Sequence, residues 1–306
     1  MTRLAVLADV HGNLPALEAV LLDVEQQDVD GIIAAGDYVT SGPFPVEVVR
    51  RLRALGASMI RGNAERYLLD YRAREAPEAW HTSYQWAGLR WSYQQLDAET
   101  LDFIAQLPEQ RAFAWGGAAP IRVVHGSPRS PFERLFPDRN PGALCWFREA
   151  GLLPLERDLP HLKWTLERVG ESVLVCAHTH IPWMQRDGGR LAVNPGAVSL
   201  SFVGDTRAHY ALLTWVDGRW CVEHRAVPYD LDRVRRAFRT TGFLGEGGAF
   251  ARAALLTIET GQNAIGQLYA HIDRLAVAAG LDDWDAVPDP LWERAMTTFD
   301  WGAYCG

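Results

Sequence analysis

Short apolar segments that stop abruptly at polar residues recur along this chain, and the first of them lies near its start. Leu4 to Ala8 are all apolar, whereas Asp9 and His11 follow at once in a polar turn. A run of this length, bounded by such a turn, predicts a buried β-strand. Apolar residues at 17, 20, 21 and 24 then predict a helix. Because alternate strand residues point to the same side, we expect the carboxylate and the imidazole to converge on one point.

The same unit, an apolar strand with a polar end and a helix after it, occurs twice more. Gly31 to Ala35 is followed by Asp37, and Ala57 to Ile60 is followed by Asn63. Residues 46–55, between these strands, have the pattern of a helix. Such alternation predicts an α/β fold. Ligands of open α/β sheets bind beyond the carboxyl ends of the strands, which is where these polar residues are expected to lie.

Two further apolar segments end in histidine. Residues 121–124 lead directly into His125, and residues 172–177 lead into His178 and His180. The long segments between the strands, at 65–108 and 129–170, are predicted to be helices and loops without chemistry of their own. The polar ends of five strands are therefore the candidates for a functional site.

The last predicted strands form a hairpin, and the chain then changes character. The dipeptide Asp217-Gly218 is a strong turn signal between strands at 208–216 and 220–227. Antiparallel strands after parallel ones favour a second sheet for this hairpin. From about Tyr229 the pattern is helical, apart from a glycine-rich loop predicted at 242–248. We therefore predict a core domain at 1–228 and, at 229–306, a helical extension that packs on it.

Composition and charge exclude several classes of protein. The chain has 306 residues and a formal net charge of −8. This charge disfavours binding of duplex nucleic acid, which requires clustered Lys and Arg. No apolar run approaches the roughly 20 residues that span a bilayer, and the first residues do not resemble a secretion signal. We therefore expect a cytoplasmic protein with no membrane partner. Four scattered cysteines without a C-x-x-C pair argue against a zinc finger or a disulfide framework.

The polar strand ends offer carboxylate, amide and imidazole groups, which together are typical of a metal site. They are Asp9, His11, Asp37, Asn63, His125, His178 and His180. The share of nitrogen ligands favours Mn, Fe, Ni, Co or Zn over Mg or Ca. Two metal ions about 3.5–4 Å apart, sharing a bridging carboxylate, would use all seven side chains.

The order of these motifs resembles the calcineurin-like metallophosphoesterase superfamily. The stretch from Ala8 to Val20 looks particularly like the bacterial and archaeal small phosphodiesterase branch, as do residues 36–45 and 193–197. The resemblance covers about residues 1–228, which would then be a metallophosphoesterase catalytic domain. The segment beyond residue 228 is outside what the resemblance explains. The motifs that carry it are Asp9-x-His11, Gly36-Asp37, Gly62-Asn63, His125 and His178-x-His180.

The resemblance implies a fold and a complete set of metal ligands. The fold would be a four-layer α/β/β/α sandwich with two mixed sheets, to which this chain adds the helical C-terminal appendage. One divalent metal ion, with Mn as the first choice, would be held by Asp9, His11, Asp37 and His180. The other would be held by Asp37, Asn63, His125 and His178, so that Asp37 bridges the pair.

The resemblance also implies the chemistry, and one residue departs from the family pattern. A hydroxide that bridges the two metal ions would attack the phosphorus of a small phosphoester, with Asp37 and Asn63 as catalytic residues. Asn63 would also orient a phosphate oxygen, and Arg61 is a weaker candidate for a phosphate contact. Many phosphatases of the superfamily have a general-acid histidine where this chain has Ala64. Alanine cannot donate a proton, and lost general-acid help typically costs about 10²–10⁴-fold.

We therefore expect a metal-dependent phosphodiesterase that acts on a small phosphodiester or nucleotide. A phosphomonoesterase or a dinucleoside polyphosphate hydrolase is the alternative within the same class. The alternative of another class is a catalytically weak metal-binding scaffold, for which Ala64 would mark the loss of catalysis. The complete ligand set argues against a scaffold, because a scaffold does not need seven metal ligands. The sequence does not indicate the natural substrate or the oligomeric state.

Overall fold

The computed structural model describes residues 1–137, 162–281 and 287–304. Most of the loop and helices predicted at 129–170 lies outside the described residues. The strands are β1 (Thr2–Leu7), β2 (Gly31–Ala34), β3 (Ser58–Met59), β4 (Gln110–Phe113), β5 (Ile121–Val124), β6 (Val173–Val175), β7 (Pro182–Asp187), β8 (Arg190–Pro195), β9 (Ala208–Val216) and β10 (Arg219–Val227).

Helices connect the parallel strands and make up the described part of the chain after β10. They are α1 (Leu14–Glu25), α2 (Pro45–Ala54), α3 (Asn63–Ala73), α4 (Glu78–Thr82), α5 (Ala87–Gln95), α6 (Ala98–Gln106), α7 (Leu162–Arg168), α8 (Leu231–Thr240), α9 (Phe243–Glu246), α10 (Gly248–Thr260), α11 (Ala264–Ala278) and α12 (Asp289–Thr298). None of these helices combines the length and the apolar character that crossing a membrane requires.

The first sheet has the strand order β10-β9-β1-β2-β3. Strands β1, β2 and β3 are parallel, so their carboxyl ends lie at one edge of the sheet. The β9–β10 hairpin has the predicted turn, but its predicted place in a second sheet is wrong. Strand β9 pairs antiparallel with β1, and Leu4 lies opposite Leu213. Strand β1 therefore lies in the interior of the first sheet, with a hydrogen-bonded neighbour at each edge.

The second sheet has the strand order β4-β5-β6-β8-β7. Strands β5, β6 and β8 are parallel, whereas β4 and β7 are antiparallel edge strands. Strand β7 was not predicted, because Pro182–Asp187 alternates too weakly between apolar and polar residues to stand out. Both sheets are mixed, as the resemblance implied.

The two sheets pack face to face because their central strands are apolar on both sides. On β1, Leu4 and Val6 contact the second sheet, including Val123 and Val175. On the opposite face of the same strand, Ala5 and Leu7 pack among the helices that cover the first sheet. Helix α7 covers the outer face of the second sheet through Leu162 and Leu166. This arrangement confirms the predicted α/β/β/α sandwich.

The C-terminal helices pack against the edge of the sandwich where the carboxyl ends of the parallel strands lie. Phe238, Phe243 and Ile258 form a cluster with Leu200 and Phe202, which follow β8. The loop predicted at 242–248 is wrong in part, because α9 makes one helical turn there and α10 begins at Gly248. The boundary at residue 228 stays a prediction, and the packing shows that the two parts share an apolar core.

Candidate metal centre

The structure brings the seven predicted residues together at the carboxyl ends of the parallel strands. Six of them form two groups in which candidate ligand atoms lie within 4.8 Å of one another. The first group is Asp9, His11 and His180, and the second is Asp37, His125 and His178. Each group draws residues from both sheets, so the site depends on the face-to-face packing of the sandwich.

Left-handed backbone conformations, and not strand alternation, aim these side chains at the site. Strand β1 ends at Leu7, before the first ligand candidate. Five of the seven candidates have a φ angle between 47° and 66°. Residues other than glycine adopt such angles only where the surrounding structure enforces them. These five residues are Asp9, His11, Asp37, His178 and His180. The predicted convergence of Asp9 and His11 is therefore observed, but the reason given for it is wrong.

Two glycines allow the loops that carry these residues to approach closely. A Cβ atom on Gly62 would lie 2.1 Å from Oδ1 of Asp37, and a Cβ atom on Gly42 would lie 2.1 Å from the carbonyl oxygen of His11. Neither contact leaves room for a methyl group. The loops after β1, β2 and β3 can therefore pack into one compact site only with glycine at these positions.

The Asp37 carboxylate belongs to the second group and also faces the first. Its Oδ2 atom is 3.6 Å from Nε2 of His11 and 3.4 Å from Nε2 of His125. Its Oδ1 atom accepts a hydrogen bond from the backbone N–H of Ala64 at 2.8 Å. One carboxylate oxygen thus faces a residue of each group, as a bridging ligand would.

Four residues of the two groups line a cavity of about 450 Å³, namely His11, Asp37, His178 and His180. Asn63, Ala64 and Arg134 also line it, together with residues of α10 and α11. A cavity of this size is large enough for a small organic phosphoester, since ligand pockets commonly measure about 300–1,000 Å³. The geometry so far indicates a site for a small anionic ligand beside buried carboxylates and imidazoles.

Comparison with protein families agrees with this geometry. A family model described as a calcineurin-like phosphoesterase superfamily domain matches residues 2–218, which contain all seven candidate ligands. The chain belongs to the calcineurin-like phosphoesterase superfamily. The superfamily is metal-dependent, and together with the two groups of candidate ligands this membership supports a phosphoester hydrolase.

Similar proteins extend the match beyond the family domain. An uncharacterized protein of Methanocaldococcus jannaschii is 25% identical over 250 residues, which are 76% of this chain and 90% of that protein. The crystal structure of a metallophosphoesterase from Sphaerobacter thermophilus is 25% identical and has a TM-score of 0.62 over 85% of this chain and 100% of that one. A hypothetical protein of Pyrococcus horikoshii shares the fold, at 20% identity and a TM-score of 0.63 over 83% of this chain and 98% of that one.

The imidazoles of this calcineurin-like chain are oriented as metal ligands would be. The Nδ1–H group of His125 donates to the carbonyl oxygen of Ala35 at 2.8 Å, and that of His180 donates to the carbonyl oxygen of Leu200 at 2.8 Å. Such bonds fix the ring and leave Nε2 facing the site, which is the usual support of a metal-binding histidine. The Nε2 atoms of His11 and His180 are 3.3 Å apart, so a cation between them would use both lone pairs.

The oxygen donors also fit divalent cations. Asp9 is 0% exposed, and its Oδ1 atom has no hydrogen-bond partner among the described residues. A buried carboxylate oxygen without a partner is costly unless a cation or a proton satisfies it. The Oδ1 atom of Asn63 lies 2.9 Å from Nε2 of His125, which places this amide beside the second group. The residues present therefore fit two metal ions, and the assignment of individual ligands stays a prediction.

Without metal, the charged groups among the candidate ligands are one buried pair, His125 and Asp37. Burial opposes charge on both partners, but the Asp37 and Asp9 carboxylates raise the pKa of His125 to about 10. In turn, His125 and His11 hold the pKa of Asp37 well below its usual range, although burial alone would raise it. Burial lowers the pKa of His180 to about 3 and also lowers those of His11 and His178. Three of the four imidazoles are therefore neutral and ready to bind metal at physiological pH.

Glu65 holds the loop that carries Asp37. Its carboxylate accepts hydrogen bonds from the backbone N–H groups of Asp37 at 2.9 Å, Tyr38 at 2.8 Å and Gly62 at 2.8 Å. The last bond supports the first turn of α3. The bonds to the loop after β2 could not be foreseen, because nothing in the sequence links residues 28 positions apart. Burial and the nearby Asp37 raise the pKa of Glu65 to about 7, against these hydrogen bonds.

Asn194 plays a similar part for the histidines of the second sheet. Its Nδ2 group donates to the carbonyl oxygen of Ala177 at 2.9 Å and to Oγ1 of Thr179 at 2.9 Å. Its Oδ1 atom accepts from the backbone N–H of Gly196 at 2.9 Å. The sequence marks this residue only as part of a tight turn, whereas the structure shows that it fixes the backbone on which His178 and His180 lie.

Arg134 lines the cavity and Arg61 does not, and the predicted phosphate contact of Arg61 stays a prediction. Arg61 is not among the residues that line the cavity, and its guanidinium group contacts the carbonyl oxygen of Ala105 at 3.4 Å and Glu109 at 3.6 Å. Arg134 lines the cavity and has no ion-pair partner among the described residues. Burial lowers its pKa, yet it remains the cation beside His178. It escaped the sequence analysis because it follows no motif.

Replacement of Glu65 by Gln should loosen the site. Glutamine keeps the shape of the side chain but offers one acceptor oxygen where several N–H groups need two, so we expect a loss of about 3 kcal/mol in unfolding free energy. Metal affinity should fall as well, because Asp37 loses its support. Urea unfolding at pH 8 and metal titration measure the two effects. Glu75→Gln, at an exposed position of the chain, is the control, and equal behaviour of the two variants would contradict this role.

Metal binding to the metal-free protein should release protons. At pH 7 His125 is protonated, since its pKa is about 10, and it must lose this proton to become a ligand. We expect release of about one proton per chain from this residue at pH 7, and metal affinity that rises with pH towards 10. Calorimetry of Mn²⁺ binding in buffers of different ionisation enthalpy measures the release. Heats that are the same in all buffers would show that His125 is already neutral.

Proposed function

We propose that this protein is a metal-dependent phosphodiesterase that hydrolyses a small phosphodiester or nucleotide. The observation that carries the proposal is the two adjoining groups of buried carboxylate and imidazole side chains, which Asp37 connects beside a cavity of substrate size. One metal ion would be held by Asp9, His11, Asp37 and His180. The other would be held by Asp37, Asn63, His125 and His178, and Mn is the first metal to test.

Two divalent ions at these positions would supply Lewis-acid stabilisation of the phosphoryl group and activation of water. The chain supplies the rest. The Asn63 amide, at the first turn of α3, can donate from its N–H₂ group to a phosphoryl oxygen while its oxygen faces His125. Arg134 adds a fixed positive charge at the cavity wall, which favours a phosphate over a neutral ligand. No nucleophilic Ser or Cys is needed.

Ala64 decides which phosphoesters suit the site. Its methyl group is 3% exposed and lines the cavity beside Asn63, where it cannot protonate a leaving group. An ester with an acidic leaving group departs without such help, whereas an ester of an ordinary alcohol benefits strongly from it. Ala64 therefore favours activated phosphoesters, and the choice of a diester rests on the resemblance to the small phosphodiesterase branch. Cleavage of dinucleoside polyphosphates remains compatible, because their leaving group is itself a phosphate.

Hydrolysis of two aryl esters tests the proposal. With Mn²⁺, bis(p-nitrophenyl) phosphate should be cleaved faster than p-nitrophenyl phosphate, and a chelator should abolish both reactions. Both esters release p-nitrophenolate, which departs without a general acid, so the comparison reports the preference for a diester independently of Ala64. Asp37→Ala should lower kcat/KM for the diester by at least about 10³-fold, because the carboxylate that connects the two groups is lost. Asp102→Ala, on the exposed side of α6, is the control and should not change the rate.

Either of two results would contradict the proposal. A protein that binds two Mn²⁺ ions per chain but cleaves neither ester would be a metal-binding scaffold. A monoester rate well above the diester rate would make it a phosphomonoesterase. Metal content, measured by mass spectrometry on the same samples, separates a missing metal from a missing activity.

Replacement of Arg134 tests the phosphate contact. Arg134→Ala should raise KM for the diester about 10-fold with a smaller change in kcat, because a charge-assisted contact to the phosphate is lost in substrate and transition state alike. Arg129→Ala is the matched control, since Arg129 is exposed in the same loop and pairs with Glu133. An unchanged KM in Arg134→Ala would show that the phosphate binds without this residue.

A further inference from the structure

The cavity at the metal centre does not end at the catalytic domain. Its far wall consists of residues from α10 and α11 and from the short loop between them, which lie in the segment that the family match does not cover. These residues include Phe250, Asn263, Ile265 and Tyr269. The C-terminal segment therefore lines the cavity and does not only cover the sandwich.

A continuous chain of contacts fixes this wall relative to the metal centre. The ring of Phe202 stacks on His180, with centroids 4.5 Å apart and planes 6° from parallel. Two residues later the backbone N–H of Gly204 donates to the carbonyl oxygen of Gly261 at 2.9 Å. Gly261 ends α10, and Asn263 lies two residues after it. The position of the wall is thus tied to a candidate metal ligand by one stacked ring and one hydrogen bond.

The part of the cavity away from the candidate ligands is lined by aromatic rings from two sides. The catalytic domain contributes Tyr67 and Trp86, whose ring centroids are 5.7 Å apart. The C-terminal helices contribute Phe250 and Tyr269, at 6.3 Å. Burial, and secondarily Tyr67, raises the pKa of Tyr269, so the two sides lie within electrostatic reach of each other. Rings of this kind bind flat aromatic groups by stacking.

One polar side chain interrupts this apolar wall. Asn263 is 6% exposed, and its Oδ1 atom accepts a hydrogen bond from the backbone N–H of Gly266 at 2.9 Å. Its Nδ2 group has no hydrogen-bond partner among the described residues. A buried N–H₂ group without an acceptor is costly, and an acceptor on a bound ligand would satisfy it. The wall therefore combines stacking surfaces with one donor for the edge of a ring.

We propose that α10 and α11 form a base-binding compartment, in which the nucleobase of a nucleotide phosphoester packs against Phe250 and Tyr269 near Asn263. This inference rests on the proposed function, because it assumes that the phosphate binds at the metal centre. It selects a nucleotide from the small phosphodiesters considered above. A nucleobase matches the lining, since it is flat, stacks on aromatic rings and carries carbonyl oxygens or ring nitrogens at its edge. An aliphatic phosphoester would leave both features unused.

Binding of two kinds of ligand, with and without a base, to the metal-loaded protein tests the compartment without requiring turnover. Isothermal titration calorimetry compares the four ribonucleoside 5′-monophosphates with ribose 5-phosphate, which differs from them only in lacking the base. At least one nucleotide should bind about 10-fold more tightly than ribose 5-phosphate, since stacking of one base contributes roughly 1–3 kcal/mol. Equal affinities for all five ligands would overturn the proposal.

Two variants locate the effect. Phe250→Ala should weaken binding of the preferred nucleotide at least about 5-fold and leave ribose 5-phosphate unchanged, whereas Phe250→Tyr should restore the preference. Asn263→Asp removes the free donor but keeps the acceptor that caps α11, so it should weaken nucleotide binding more than binding of ribose 5-phosphate, on which only the added charge acts. Phe299→Ala is the control, because Phe299 belongs to the C-terminal segment but does not line the cavity.

The outcomes separate this inference from the proposed function. An equal loss of affinity for both kinds of ligand in Phe250→Ala would show a structural role only, and the compartment would be refuted. A nucleotide preference that survives both variants unchanged would place the base elsewhere and refute it as well. Failure of the proposed function would instead appear as absence of diester cleavage by the metal-loaded wild type, whatever the nucleotide affinities are.

Discussion

The candidate metal centre depends on the backbone hydrogen bonds that the Glu65 carboxylate accepts. This carboxylate accepts hydrogen bonds from the backbone at both Asp37 and Gly62, so it joins the loop after β2 to the first turn of α3. Asp37 in turn connects the two groups of candidate ligands. A buried carboxylate beside another is unfavourable, as the raised pKa of Glu65 shows, and the backbone N–H groups compensate for it. The site therefore holds two mutually repelling carboxylates, Glu65 and Asp37, at a place where bound cations would lower their repulsion.

The same constraint explains the strained backbone of the site. The left-handed residues are ligand candidates at the ends of strands in both sheets, including Asp37 and His178. Each such conformation costs of the order of 1 kcal/mol or more and persists only where neighbouring contacts enforce it. Glu65 supplies these contacts for the first sheet, and Asn194 supplies them for the second. These backbone conformations therefore cost local stability, and they bring six ligand candidates within reach of two ions.

The sequence predicts the candidate site better than it predicts its surroundings. Polar residues at the ends of apolar strands, such as Asp9 and His125, are visible because parallel strands place their carboxyl ends together. The sheet to which the β9–β10 hairpin belongs is not visible, since a hairpin has the same pattern in either sheet. Arg134 and Asn263 are not visible either, because they reach the cavity through the packing of helices and loops that carry no motif.

Two features outside the family pattern, Ala64 and the C-terminal wall of the cavity, both affect which substrates the site accepts. Ala64 removes a general acid, so the chemistry depends on the leaving group and on how well the phosphoester is held. The C-terminal wall offers binding surface away from the reacting atoms, through Phe250 and Tyr269. Binding energy from a remote part of a substrate can position the reacting group and so lower the barrier. A chain that lacks the proton donor has the most to gain from such a wall, so the two features together favour the proposed nucleotide substrate.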